Sequence, residues 1–134
     1  MNDPHEIVIA PELAAPVGYS HAVVAGEGRH VFLGGQVALA PNGTIQGDTI
    51  VEQFDVAAGN VVTALRAAGG EPHHIVSMLV FVTDIASYRE SLHDLGPIWQ
   101  KHFGRRYPAM ALFGVTALVE DTALVELVAT AVIP

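Results

Sequence analysis

From Leu124 to Thr130 the chain reads Leu-Val-Glu-Leu-Val-Ala-Thr, apolar at nearly every position but broken by one acid. At the strand period of two, Leu124, Glu126 and Val128 share one face, while Ala123, Val125, Leu127 and Ala129 share the other. A carboxylate in such a strand is costly unless it finds hydrogen-bond partners, a cation or a proton. Glu126 is therefore the first candidate for chemistry. The plainer alternative is that it points to water from a half-exposed sheet, or is satisfied by backbone amides. The preceding apolar run, Tyr107 to Val115, reads as a second strand, with Glu120-Asp121 in a polar turn, so a C-terminal hairpin is expected.

Upstream, Ile7-Val8-Ile9 is a short strand closed by Pro11 and Pro16. The segments His21–Ala25 and His30–Gln36 read as two strands joined by a glycine-bearing hairpin turn, Gly26-Glu27-Gly28-Arg29. Gly34-Gly35 at the end of a strand fits a bulge or a close backbone approach. Asp48 or Thr49 can cap a helix running to about Ala68, whose face Val51, Phe54, Ala58, Val61, Val62 and Leu65 recurs at three and four. Gly69-Gly70 ends it. Ile75–Thr83 is the strongest strand, rich in Val and Phe. Ser87-Tyr88-Arg89-Glu90 reads as a capping box opening a second helix, which Gly96-Pro97 should kink or interrupt. Its apolar face carries Leu92, Leu95, Ile98, Trp99 and Phe103, and Trp99 reads as core.

At 134 residues one domain, 1–134, is expected. With 51% apolar and 15% charged residues, polar surface is too scarce to cover a monomer, which predicts that subunit contacts hide part of it. A formal charge of -8 and only one Lys beside five Arg oppose a nucleic-acid partner. Arg105-Arg106 reads as a solvated helix end. Without cysteine there is no thiolate nucleophile or thiolate metal site. His73-His74 point apart with no further ligand at metal spacing, so no metal is expected. No apolar run has membrane-spanning length and the N-terminus lacks a secretion pattern, so a cytoplasmic protein without a membrane partner is expected.

Together Gly18-Tyr19, Val31-Phe32-Leu33-Gly34-Gly35-Gln36, the helix ending Ala67-Ala68-Gly69, Val80-Phe81-Val82-Thr83-Asp84, Tyr107-Pro108-Ala109 and Val125-Glu126 resemble the Rid family (RidA, YjgF, UK114) in order and spacing. The resemblance covers about Tyr19 to Ala131. It implies an α+β fold, a mixed six-stranded sheet with two helices on one face (chorismate-mutase-like), closed as a homotrimeric barrel with ligand clefts between subunits. It also implies a small-molecule ligand and no cofactor. In the family's enamine and imine deaminases a Tyr, the backbone of a Ser-Gly-Gln segment, an Arg after Pro-Ala and a Glu line the cleft, and the Glu positions the water that attacks the imine carbon. Tyr19, Gly35, Gln36 and Glu126 match, whereas Gly34 stands in place of the Ser.

At the position of the carboxylate-binding Arg stands Met110, and Leu112 follows two places on along the same strand face. Arg106 is four residues away, roughly 13 Å along a strand, and does not simply substitute. The resemblance therefore implies a more apolar site around Tyr19, Gly34, Gly35, Gln36, Met110 and Leu112. Glu126 would act as acid/base on an uncharged imine, enamine or enol rather than on 2-aminoacrylate. The alternative is a binder or sensor of a small hydrophobic metabolite. RNA cleavage, an older reading of the family, fits an acidic, Arg-poor chain poorly.

Overall fold

A computed structural model describes residues 3–134. Its strands are β1 (Glu6–Val8), β2 (Ala22–Val24), β3 (Arg29–Phe32), β4 (Ile75–Val82), β5 (Ala109–Gly114) and β6 (Val125–Ile133), and its helices are α1 (Ile50–Ala67), α2 (Ile85–Glu90) and α3 (Leu92–Phe103). The six strands form two sheets rather than the one expected: a ribbon β1-β2 and a four-stranded mixed sheet in the order β3-β6-β4-β5.

Neither expected hairpin forms. β2 pairs with β1 and β3 with β6, so the Gly26–Arg29 turn connects two sheets instead of closing a ladder. β4 lies between β5 and β6, parallel to the former and antiparallel to the latter. The reason is burial: Ile75, Met78, Val80 and Val82 are all buried, and a strand this apolar gains most with a partner on each side. β4 returns to parallel β5 through α2 and α3, the crossover that parallel pairing requires.

Thr49 caps α1, its side chain accepting the Glu52 N–H, and the helix ends at Gly69, whose φ of 93° is easily reached only by glycine. The buried face of α1 is Ile50, Gln53, Phe54, Ala57, Ala58, Val61, Val62 and Leu65. Gln53 was not legible as a core residue. Its amide is satisfied by donating to the carbonyls of Gly47 and Thr122 and accepting the Leu124 N–H, which ties α1 to the start of β6.

The second helix is opened by Asp84, not by Ser87: its Oδ1 accepts the Ser87 N–H at 3.0 Å. The helix breaks at Ser91, where the hydroxyl donates to the Ser87 carbonyl and the backbone leaves helical geometry. Pro97 sits within α3 without ending it. Both long helices pack on one face of the larger sheet, against Val80, Val82, Val125, Leu127 and Ala129.

The opposite face carries Phe32, Leu79 and Phe113 in exposed positions, with Phe113 stacked on Phe81 at 5.6 Å. Arg106 is no solvated helix end. It is a largely buried tie whose guanidinium pairs with Asp3 and donates to the Ile75 carbonyl. Burial pushes the Asp3 carboxyl up, but the hydrogen bonds from Arg106 and the His5 N–H outweigh this and hold it below the usual carboxylate range.

His74, in the short 3-10 turn Pro72–His74 before β4, accepts the Glu71 N–H through Nδ1 at 2.9 Å. Burial, then neighbouring His73, pulls its pKa below the ordinary value. The folded chain thus prefers the neutral ring, while the unfolded chain takes up a proton first as pH falls through about 6.5. Stability is expected to decline as pH drops from about 6.5 toward the folded-state pKa. His74→Asn, which keeps an acceptor but cannot titrate, should lose that slope in urea midpoints measured between pH 7.5 and 5.

Candidate functional site

Register decides where the candidate residues stand. In β5, Met110 pairs with Met78 and Leu112 with Val80, so both point to the helix side, where they pack against the core. In β6, Glu126 pairs with Phe81 and alternates with fully buried Val125 and Leu127, so it points to the helix-free face. Within one chain the candidates fall into two groups on opposite faces of one sheet.

The first group lines a cavity of about 350 Å³ between α2, α3 and β5. Tyr19, Met110 and Leu112 lie on its wall with Val80, Tyr88, Leu95, Gly96, Trp99 and Tyr107, and no lining residue carries a charge. Tyr19 is held at the rim because Ser20 is anchored on the start of β5. The Ser20 N–H donates to the Pro108 carbonyl at 3.0 Å, and its hydroxyl donates to the Tyr107 carbonyl at 2.5 Å. Arg106, the nearest guanidinium in sequence, is committed to Asp3 and Ile75.

Trp99 is core and cavity wall at once. It is 5% exposed, stacks on Tyr107 at 5.4 Å, and donates from Nε1 to the Arg106 carbonyl. Tyr88 and Tyr107 were not legible as site residues, since each reads as part of a helix or a strand start. Burial pushes the Tyr88 phenol up, and the neighbouring Tyr107 adds to the effect. Among the described residues neither hydroxyl has a hydrogen-bond partner, and both residues line the cavity.

The second group is Gly34, Gly35, Gln36 and Glu126. Beyond β3 the chain stays beside β6: Gln36 and Leu127 exchange backbone hydrogen bonds at 2.8 and 2.9 Å. This brings Gly35 under Glu126, where a Cβ on Gly35 would lie 2.5 Å from Oε2. Glycine is required at 35 for the carboxylate to lie there. Gly34 is different, since a Cβ there meets nothing within 4 Å; Gln36 Nε2 donates to the Gly34 carbonyl at 3.4 Å.

Among the described residues no group of three or more His, Asp or Glu side chains is placed to hold a metal ion, and no helix is long and apolar enough to cross a membrane. His73 and His74 lie with ring centroids 4.3 Å apart, but His74 Nδ1 is taken by Glu71.

Residues 10–133 match the family model described as Endoribonuclease L-PSP. Protein DfrA of Myxococcus xanthus is 32% identical over 81% of this chain and 79% of its own. Human 2-iminobutanoate/2-iminopropanoate deaminase is 28% identical over 81% of this chain and 74% of its own. Among solved structures, the Rid-family protein YyfB of Yersinia pestis, itself described as of unknown function, superposes with a TM-score of 0.87 at 28% identity, covering 97% of this chain and 99% of that one. The chain belongs to the family of the Endoribonuclease L-PSP model, the Rid (YjgF/UK114) proteins.

Proposed function

We propose that this protein takes an uncharged imine, enamine or enol into its cavity and that Glu126 of a neighbouring copy supplies the acid/base group. The observation that carries the reading is the cavity wall, where Met110 stands among Tyr19 and Leu112 with no cation to meet a carboxylate. A charged hydrogen bond of the Arg-carboxylate kind contributes roughly 1.5 to 3 kcal/mol, one or two orders of magnitude in affinity. The human relative's name specifies two substrates that are carboxylates; this chain offers such groups a poor site.

Because Glu126 and the cavity occupy opposite faces of the sheet, the two meet only between copies. Exposed Phe32, Leu79 and Phe113 on the Glu126 face favour burial of that face in an oligomer, and the family's trimeric barrel would bring one copy's Glu126 to the next copy's cavity. In the reaction a water adds to the protonated imine carbon and gives a proton to Glu126. The carbinolamine then takes that proton on nitrogen and expels the amine while its hydroxyl proton passes back to Glu126, leaving a carbonyl product and the acid that protonates the next imine. No cofactor is needed. An acidic surface of net charge -8 disfavours nucleic acid as a partner.

A non-catalytic binder of a hydrophobic metabolite is favoured by one observation, the separation of Glu126 from the cavity within the chain. Hydrolysis of the neutral imine of cyclohexanecarbaldehyde with methylamine separates the readings. The protein should accelerate it above buffer, and Glu126→Gln should remove about 10²- to 10⁴-fold of that acceleration while size-exclusion elution stays unchanged. Equal rates for Glu126→Gln and wild type would rule out the acid/base assignment.

A further inference from the structure

We propose that Tyr88 and Tyr107 form a paired hydroxyl reader for the oxygen of an uncharged carbonyl or enol compound, whose ring-sized apolar substituent fills the chamber between Trp99 and Gly96. This rests on the reading of the cavity as the ligand site and specifies which ligands it selects. The volume, about 350 Å³, holds on the order of ten water volumes, far more than a three-carbon substrate fills.

The depth comes from α3. Gly96 faces the cavity, and a Cβ built there meets no heavy atom within 4 Å apart from its immediate chain neighbours and helix backbone. Trp99, one turn further, presents a flat wall. Its ring is fixed by stacking on Tyr107 at an interplanar angle of 16° and by the hydrogen bond from Nε1 to the Arg106 carbonyl. An alicyclic or aromatic ring matches such a slot better than a flexible chain, since it loses less freedom on binding.

The polar end follows from what the wall lacks and what it holds. A carboxylate entering beside Met110 would be stripped of water with no counter-charge. A carbonyl or enol oxygen needs only neutral donors. Tyr88 and Tyr107, both lining the cavity, supply two, with hydroxyls that no described residue partners, and burial, then the neighbouring Tyr107, pushes the Tyr88 phenol up so that it keeps its proton.

The test uses the chain's one tryptophan, Trp99, as a reporter inside the site. Its fluorescence is titrated with cyclohexyl methyl ketone, with butanone, with cyclohexanecarboxylate, and with isopropenylcyclohexane, the alkene of the same shape as the ring ketone. Wild type should bind the ring ketone at least about tenfold more tightly than butanone or the carboxylate. Tyr88→Phe and Tyr107→Phe should each weaken the ketone about three- to tenfold and leave the alkene within about twofold. In a Pro97→Ala background, which relieves the constraint proline places on the preceding residue, Gly96→Val should weaken the ring ketone at least about tenfold and spare butanone.

Equal losses of ketone and alkene in the Phe variants, or no loss of either, would overturn the hydroxyl reader while leaving the neutral-ligand reading in place. Carboxylate binding as tight as ketone binding in wild type would instead overturn the neutral-ligand reading itself, and the inference with it.

Discussion

Leu127→Ala is expected to lower the free energy of unfolding by about 3 to 5 kcal/mol, a large share of the roughly 5 to 15 kcal/mol that holds a domain of this size together. Leu127 has no exposed surface, sits in β6 between β3 and β4, and packs in the core that α1 and the sheet share. Its backbone is pinned by the two hydrogen bonds with Gln36, so the strand cannot slide to fill the cavity the mutation leaves. The same strand holds Glu126, so the loss should reach the site as well as the fold. Denaturant melts of Leu127→Ala against Val119→Ala, at a position 96% exposed, check this. The exposed substitution should stay within about 0.5 kcal/mol of wild type, and a Leu127→Ala cost below about 1 kcal/mol would mean that β6 is not the packed centre.

Met110→Arg is expected to invert the ligand preference. Met110 is half-buried on the cavity wall, its long side chain has the reach of an arginine's aliphatic stem, and its neighbours Tyr19 and Leu112 leave the rim open toward solvent. A guanidinium there gains a charged, two-pronged contact with an entering carboxylate, so cyclohexanecarboxylate should bind at least about tenfold more tightly than to wild type. The ring ketone should bind less well, because the new charge must be partly desolvated beside it. The isosteric control Met110→Leu should do neither. Carboxylate affinity unchanged by the arginine would show that position 110 does not face the ligand.

Much of the fold was legible because it is local. The cap at Thr49, the face of α1, the glycine stop at Gly69 and the extent of β4 depend on neighbours a few residues apart, and they stand where the pattern puts them. Strand order is not local. Tyr107–Val115 and Leu124–Thr130 look like a hairpin, yet the demand of β4 for two partners separates them. Ser87 and Asp84 both satisfy the rules for a helix cap, and only the geometry chooses Asp84.

At the site, parity within β6 was enough to put Glu126 opposite Leu127. The relation of Glu126 to Met110, however, depends on the register of two strands with β4 between them, which no spacing encodes. The resemblance placed them in one cleft between subunits; within a single chain they stand on opposite faces. Tyr88, Tyr107 and Gly96 were not read as site residues because nothing in a helix or strand pattern marks a residue beside an unfilled volume.

No residue lining the cavity offers a positive anchor for a carboxylate. Ammonia release from freshly generated 2-aminoacrylate, measured at matched concentrations for this protein, its Met110→Arg variant and the human deaminase, tests it most directly. Wild type should release ammonia no faster than buffer, with a measurable gain in the arginine variant; release by wild type at a rate comparable with the human enzyme would show that the cavity does hold a carboxylate.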